Sequence, residues 1–125
     1  MQDELTVTDV LERAYDLLAP PGAWMQKALA RTARSAVVSY SDDADDITSM
    51  CVVGALHAAA YGHPLHSAVV NHDALNQAFD VLCAALSFPS RSSIVPWNNA
   101  PERTHEDVLL ALKQAIERSR EREAA

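Results

Sequence analysis

Apolar side chains recur at steps of three and four residues in several stretches of the chain, a spacing that places them on one face of an α-helix. The first stretch begins at Thr6 and Thr8, whose hydroxyls suit a helix N-cap. It ends at residues 19–22, where two successive prolines prevent a helix from continuing. The pattern therefore predicts a first helix between these limits. Its apolar positions are Val7, Val10, Leu11, Ala14, Leu17 and Leu18.

Residues 47–61 form the most apolar segment, which includes Cys51 and Gly54. Two neighbouring apolar stripes cover much of the circumference of a helix at this place. Because such a helix is usually surrounded by others, we predict that it lies at the centre of the fold. Gly62 suits the position just after its end. The stripes are Ile47, Met50, Cys51, Gly54, Ala55 and Ala58, and Val52, Leu56 and Ala59.

Three further helices are predicted: a short one at residues 23–33, one after Ser67, and a last one whose Thr104 and Asp107 resemble a capping box. Between the last two, residues 87–103 contain prolines and predict a long loop of the kind that is often functional or mobile. Residues 37–40 have a strand-like composition. The apolar faces of the last two helices are Leu75, Ala78, Phe79, Leu82, Cys83 and Leu86, and Val108, Leu109, Leu112, Ala115 and Ile116.

These patterns predict an all-α protein, a compact bundle of about five helices around the helix at 47–61. At most one short extended segment is expected, near residues 37–40. We expect a single helical domain over residues 1–125, with its core at about 6–118. The mixed charges of residues 117–123 predict that the C-terminal end, 119–125, is frayed.

Charge and composition restrict the classes of partner. The 125 residues carry a formal net charge of −7, and Lys27 is one of only two lysines, which argues against nucleic-acid binding through many phosphate contacts. No apolar run approaches the roughly 20 residues that span a bilayer, so no membrane association is expected. The acidic start argues against a signal peptide, and two cysteines do not make a disulfide framework. We expect a cytoplasmic protein whose partner is a protein or a small molecule.

Cys51 is the first candidate for chemistry. Near the start of a helix, the helix dipole can lower the pKa of a thiol and favour a nucleophilic thiolate. Such a nucleophile needs a base and an orienting group, for which His105 and Asn98 are candidates. We favour the competing interpretation that Cys51 packs in the core, where free cysteine is common. Other candidates for the base are His63, His66 and His72, and for the orienting amide Asn99.

The segment Trp97-Asn98-Asn99 is the second candidate. An indole on a long loop, followed by two side-chain amides, suits a planar or polar ligand. Alternatively, Trp97 anchors the loop to the core while the amides bind nearby backbone, an interpretation that we prefer. A basic edge formed by Lys27, Arg31 and Arg34 is a further possible contact for an anion or an acidic partner, although a solvated face explains it more simply.

No metal or cofactor is expected. Four histidines fall within 16 residues, but steps of six, three and six around a Gly-His-Pro turn do not define a zinc site. The acidic run at 41–46 lacks the glycine and the distal glutamate of a calcium-binding helix-loop-helix, and carboxylates are favourable ahead of a helix in any case. The histidines are His57, His63, His66 and His72.

Three fragments together give a resemblance to a known family. They are Trp24 with the segment after it, the sequence Cys-Val-Val-Gly-Ala-Leu at 51–56, and Trp97-Asn98-Asn99 followed by Arg-Thr-His-Glu-Asp-Val-Leu at 103–109. In this order they resemble an uncharacterised family of short actinobacterial and phage proteins, a domain of unknown function. The resemblance covers about residues 10–117. It implies a fold and a compartment but no activity. In this chain Asn99 replaces the usual aspartate of that family.

Two functional hypotheses follow. The first is a small cytosolic, non-enzymatic binding or regulatory module, in which residues 87–103 and the basic edge recognise a protein partner or a small ligand. The alternative is a small cysteine-dependent acyl or amide transferase or hydrolase with Cys51 as the nucleophile. The two hypotheses differ in what they require of Cys51: a reactive thiol should be exposed in a cleft beside a histidine nitrogen, whereas a packing thiol should be enclosed.

Overall fold

A computed structural model describes residues 5–32, 43–64 and 73–124. Within these residues there are five α-helices and one antiparallel sheet of two short strands, so the predicted all-α class and the number of helices are confirmed. Two single turns of 3₁₀-helix, Ala44–Asp46 and Arg91–Ser93, precede β2 and α4. In chain order the elements are α1 (Val7–Leu18), β1 (Ala30–Thr32), β2 (Ile47–Met50), α2 (Val52–Tyr61), α3 (Asp73–Ala85), α4 (Ile94–Asn99) and α5 (His105–Ala124).

The first and last helices begin at the predicted caps. The Thr6 hydroxyl accepts the Asp9 N–H at 3.0 Å, and the Asp9 carboxylate accepts the Thr6 N–H at 3.1 Å, which makes a complete capping box. Thr104 and Asp107 exchange the same two hydrogen bonds at the start of α5. These reciprocal bonds satisfy backbone donors that a helix start otherwise leaves free, so local sequence alone defines both helix starts.

The core lies where α1, α2, α3 and α5 pack against one another. α2 is the most enclosed helix: Val52, Ala55 and Leu56 are completely buried. No helix among the described residues is long and apolar enough to cross a membrane. The largest fully buried apolar side chains are Leu11, Leu18, Leu56, Leu82, Ile94 and Leu112.

The predicted central helix begins five residues later than expected. Ile47–Met50 forms β2, which pairs with β1 in the register Ala30 opposite Met50 and Arg31 opposite Ser49. Cys51 has an extended backbone (φ −80°, ψ 172°) and is the N-cap of α2. The apolar spacing of 47–51 suited either element. The segment forms a strand because pairing with β1 provides hydrogen bonds for its backbone N–H and C=O groups without a helix.

The helix predicted at residues 23–33 is absent from the described part of that range. The backbone of Ala23 and Met25 bonds instead to both sides of Met50, at 2.8 and 3.0 Å. Lys27 has a left-handed φ of 74°, a conformation incompatible with a helix. Three residues later the chain enters β1. Tertiary hydrogen bonds therefore override the helical propensity of this alanine-rich segment.

The predicted loop at 87–103 contains a 3₁₀ turn and the short helix α4. Ile94, completely buried, anchors this helix in the core. Pro96 is tolerated because it lies in the first turn, where its missing N–H is not needed. The extended segment predicted near 37–40 lies outside the described residues.

The C-terminal segment that was expected to fray is helical through Ala124. Ser119, only 2 % exposed, hydrogen-bonds through its hydroxyl to the Thr8 hydroxyl at 2.6 Å. One residue further on, Arg120 forms an ion pair with Glu12. Two contacts with α1 thus hold this end of α5 against the rest of the fold.

Gly54 permits an unusually close approach of backbone to α2. The Leu29 carbonyl accepts the Cys51 N–H at 3.0 Å and lies directly over the first turn of the helix. A Cβ atom at position 54 would lie 2.2 Å from this carbonyl oxygen. Only glycine therefore allows the segment that leads into β1 to pack on α2 at this distance.

We predict that Gly54→Ala destabilises the protein by about 1–3 kcal/mol, because a methyl group forces the Leu29 carbonyl away and weakens its hydrogen bond. The measurement is the free energy of unfolding in urea. Alanine is ordinarily a better helix former than glycine by about 1 kcal/mol. The control Ala60→Gly, in the same helix, should therefore lower the free energy of unfolding by about this amount. A Gly54→Ala protein more stable than the wild type would contradict the proposed close contact.

Candidate functional site

The side chain of Asn98 is at the centre of the region that contains most of the sequence-predicted site residues. It lies on α4 and is 1 % exposed. Its Oδ1 accepts two hydrogen bonds, from the Trp24 indole N–H at 2.8 Å and from the Val52 backbone N–H at 3.1 Å. Its Nδ2 donates two, to the Met25 carbonyl at 3.1 Å and to the Asn99 side-chain oxygen at 3.1 Å. The amide thereby uses its full hydrogen-bonding capacity.

Two neighbouring amides extend these contacts into what we call the Asn98 network. Gln26 donates through Nε2 to the carbonyls of Asn98 at 2.9 Å and Ala100 at 2.7 Å. Asn99 accepts the backbone N–H of Lys27 at 2.8 Å. The amides of Asn98 and Asn99 thus bind backbone groups of residues 25 and 27 that a helix would otherwise have used, while the Gln26 amide binds backbone carbonyls of residues 98 and 100. The sequence pattern did not indicate Gln26, because nothing local distinguishes a glutamine that binds a segment more than 70 residues away.

Trp24 connects this network to α1 and α5. Besides its bond to Asn98, its indole stacks on the His105 ring, with the ring centres 6.2 Å apart and the planes at 17°. A ring nitrogen of His105, Nε2, is hydrogen-bonded to the Leu18 carbonyl near the end of α1. His105 therefore links α5 with α1 and supports the indole.

Cys51 is enclosed at the first turn of α2. It is 6 % exposed, and its sulfur accepts the Gly54 N–H at 3.3 Å as a helix cap. Burial raises the pKa of the Cys51 thiol, while hydrogen bonds from backbone N–H groups of the helix start oppose this shift. Since the net direction is upward, the site favours the neutral thiol over the thiolate that a nucleophile requires.

The structure places Cys51 and Asn98 close together, but their arrangement is not the one that a catalytic set requires. Asn98 binds the N–H of Val52, the residue after Cys51, so both side chains cap the same helix start. In the described part of the chain, no hydrogen bond joins the Cys51 sulfur to a histidine, and His105 is bonded to Leu18. The catalytic set of Cys51, His105 and Asn98 remains a prediction without supporting geometry.

Trp97, which precedes Asn98 on α4, is half-buried and packs against the hydrophobic core. The guanidinium carbon of Arg103 lies 4.4 Å from the centre of its ring, a cation–π contact. Arg103 also donates from Nε to the Trp97 carbonyl at 2.9 Å and approaches the Asp107 carboxylate at 3.7 Å. Trp97 thus contributes to holding the turn between α4 and α5, with Arg103 as a partner that spacing alone did not identify.

The predicted basic edge does not form on a helix. Lys27 is exposed beside Asn99, whereas Arg31 lies on β1 opposite Ser49 and is half-buried. Arg34 lies outside the described residues. Because the helix at 23–33 is absent, the spacing of four and three does not place these residues on one helix face.

The histidines do not form a metal site within the described residues, where no group of three or more metal-ligating side chains is placed to hold an ion. His57 packs edge-on against Phe79, with ring centres 5.8 Å apart, and its Nδ1 is buried without a hydrogen bond. His63 is 4 % exposed. His66 and His72 lie outside the described residues.

We predict that Asn98→Ala costs about 3 kcal/mol of folding free energy, since it leaves the buried Val52 N–H and two part-buried groups, the Trp24 indole N–H and the Met25 carbonyl, without their partner. Asn99→Ala, at a half-buried position one residue away, should cost about 1 kcal/mol. Urea unfolding monitored by tryptophan fluorescence measures both. Equal losses for the two variants would show that Asn98 has no special role.

We predict that native Cys51 reacts slowly with a small alkylating reagent, with a midpoint above the roughly 8.5 of a free thiol. Mass spectrometry of the labelled protein across a range from acidic to alkaline pH assigns the reaction to each cysteine. The pKa of the Cys51 thiol is higher in the folded protein than in the unfolded chain. The protonated thiol therefore makes its full contribution to the free energy of unfolding below about pH 8.5, and this contribution is lost as the pH rises through the folded pKa. Rapid labelling of Cys51 near neutral pH would contradict the enclosed, protonated thiol.

Comparison with known proteins agrees with the resemblance seen in the sequence. The profile of a family of unknown function, DUF6197, matches residues 2–118, nearly the whole chain. Searches of curated proteins and of solved structures gave no match. The matched range includes Trp24, Cys51, Gly54 and the Trp97–Asn99 segment, which are the residues around the Asn98 network. The chain therefore belongs to the family of unknown function DUF6197.

Proposed function

We propose that this protein is a non-enzymatic binding module for another protein, and that the partner binds to the outer side of α4 and the turn after it. We call this the α4 surface. It consists of Val95, Pro96, Trp97 and Arg103, with Lys27 beside it. The observation that carries the proposal is an apolar and aromatic surface whose backbone is held by the hydrogen bonds of the Asn98 network.

The exposed side chains support this proposal. Val95 is 48 % exposed and Pro96 is exposed as well, although both lie next to buried residues of α4. The adjacent Trp97 and Arg103 are half-buried and stacked. Tryptophan and arginine are enriched among the residues that contribute most to protein–protein binding. Lys27 adds an exposed positive charge at the edge, which favours an acidic segment of the partner.

The Asn98 network supports the proposal through rigidity. The backbone of α4 and of the segment at 24–27 is held by side-chain hydrogen bonds from three amides. A surface that is ordered before binding loses little conformational entropy when the partner arrives. The Asn98 amide and the Oδ1 of Asn99 are occupied internally, so recognition depends mainly on the outward-facing side chains. This favours a protein partner over a small polar ligand.

The alternative, a cysteine-dependent enzyme, has less support. Its nucleophile would be a thiol that is 6 % exposed, with a pKa raised by burial and a sulfur that already accepts a backbone N–H. A reactive thiol needs access to substrate and a partner that favours the thiolate. Packing and helix capping account for Cys51 without catalysis.

We also propose that the protein acts in the cytoplasm and binds neither nucleic acid nor membrane. The net charge of −7 opposes binding to phosphate groups or to anionic lipid surfaces. Cys51 and Cys83 are both buried free thiols, which suits a reducing compartment. An origin in actinobacteria or their phages rests on the family resemblance alone.

We predict that Val95→Glu weakens binding of the partner at least about tenfold, because it places an unpaired charge in an apolar contact. The matched control is Leu110→Glu on α5, where the replaced leucine is 55 % exposed. The tagged wild type and both variants are used for quantitative affinity capture from cells that express the protein, followed by titration of the recovered partner.

A partner that is lost with Val95→Glu and retained with Leu110→Glu would support the α4 surface. Binding that is indifferent to Val95→Glu, or lost equally with both variants, would overturn it. Circular dichroism of the variants checks that the fold is unchanged, which we expect because both positions are exposed.

A further inference from the structure

The outward side of α1 suggests a second interface, which is independent of the α4 surface. We infer that two copies of this chain pair through α1, antiparallel and about a twofold axis, so that each α1 covers the groove beside the other. Three observations carry this: an open groove whose α2 side is lined by small and apolar residues, an exposed leucine at its edge, and two charges of opposite sign placed one helical turn apart without ion-pair partners in the described part of the chain.

The groove lies between α1 and α2 and has a volume of about 520 Å³. Leu17, 38 % exposed, forms one edge, and Tyr61 is half-buried on the other side. Small side chains line the α2 side of the groove, so a second helix can approach to the roughly 8–10 Å that separates packed helices. The other lining residues are Arg13, Asp16, Ala58, Ala59, Ala60 and Gly62.

A second groove, of about 440 Å³, lies on the opposite flank of α1, between this helix and α5. Tyr15 and Ile116 contribute to its lining, and Asp16 borders both grooves. α1 is therefore a ridge between two depressions. A ridge beside a groove is a shape that fits a copy of itself when the copy is turned by half a revolution.

The charged residues on α1 indicate that the groove is occupied by a second copy of the chain. Arg13 and Asp16 are both exposed, and neither forms an ion pair within the described residues. Glu12, their neighbour, is already paired with Arg120. In an antiparallel pair with the axis between positions 13 and 16, each Arg13 faces Asp16 of the other copy. The same two residues thus form two symmetric ion pairs, which is the self-complementarity of a twofold interface.

This arrangement also buries the exposed Leu17 of both copies against the apolar lining of the α1–α2 groove. Burial of such side chains supplies most of the free energy of association, while the ion pairs define the antiparallel direction. An unrelated acidic or basic peptide would satisfy only one of the two charges. A second copy satisfies both.

Sedimentation velocity over a range of protein concentrations tests the inference. The wild type is expected to shift with concentration from the 13.6 kDa of one chain to twice this mass. Arg13→Glu or Asp16→Lys alone places like charges opposite each other and should raise the dimer Kd at least about tenfold. The double variant Arg13→Glu/Asp16→Lys exchanges the charges and should restore the dimer.

Arg118→Glu is the matched control, because it makes the same charge change at an exposed position of α5 that does not line either groove. It should leave the dimer intact. A wild type that stays monomeric at all concentrations overturns the inference, and the groove is then open to a peptide or a small ligand. The inference is also overturned if neither single charge reversal changes the dimer Kd, or if the double variant does not form the dimer again. Either result would place the contact on another face of the protein.

Discussion

The hydrogen-bonded side-chain amide of Asn98 is the constraint on which much of this structure depends. A buried amide is costly unless every donor and acceptor finds a partner, and here four partners come from two distant parts of the chain, residues 24–25 and Val52, and from the adjacent Asn99. The same atom that binds the Trp24 indole also binds the Val52 N–H at the start of α2. The orientation of one side chain therefore couples the segment at 24–27, the first turn of α2 and the short helix α4.

This coupling explains why the fragments that resemble the family meet in space. Trp24, Cys51 with Gly54, and Asn98 are separated in sequence but surround one helix start. The indole binds Asn98 and stacks on His105, the thiol caps α2, and the glycine admits the Leu29 carbonyl. Residue types that are familiar from catalytic sites are used here to hold a non-helical segment against a helix. Under the proposed function, recognition takes place on the surfaces that this interior supports.

Local sequence predicted the elements whose ends are defined by neighbouring residues. The capping boxes at Thr6 and Thr104 begin α1 and α5, and the prolines after Leu18 end α1, because each signal acts within one helical turn. The apolar stripes also predicted which helices enclose the core. For the candidate site, the sequence singled out Cys51, Asn98 and Trp97 as unusual residues, but the partners of Asn98 lie up to 74 residues away, beyond the range of any spacing rule.

The sequence by itself therefore determined the helical class, the ends of α1 and the start of α5, and the apolar composition of the core, since these depend on periodicity and local capping. Only the tertiary structure decided that 47–50 is a strand, that 23–29 is not a helix and that Cys51 is a cap. The physical reason is that backbone groups need hydrogen bonds but do not specify where these come from. In residues 23–32 and 47–51, side-chain amides and a neighbouring strand supply them, and the preference for helix is overridden.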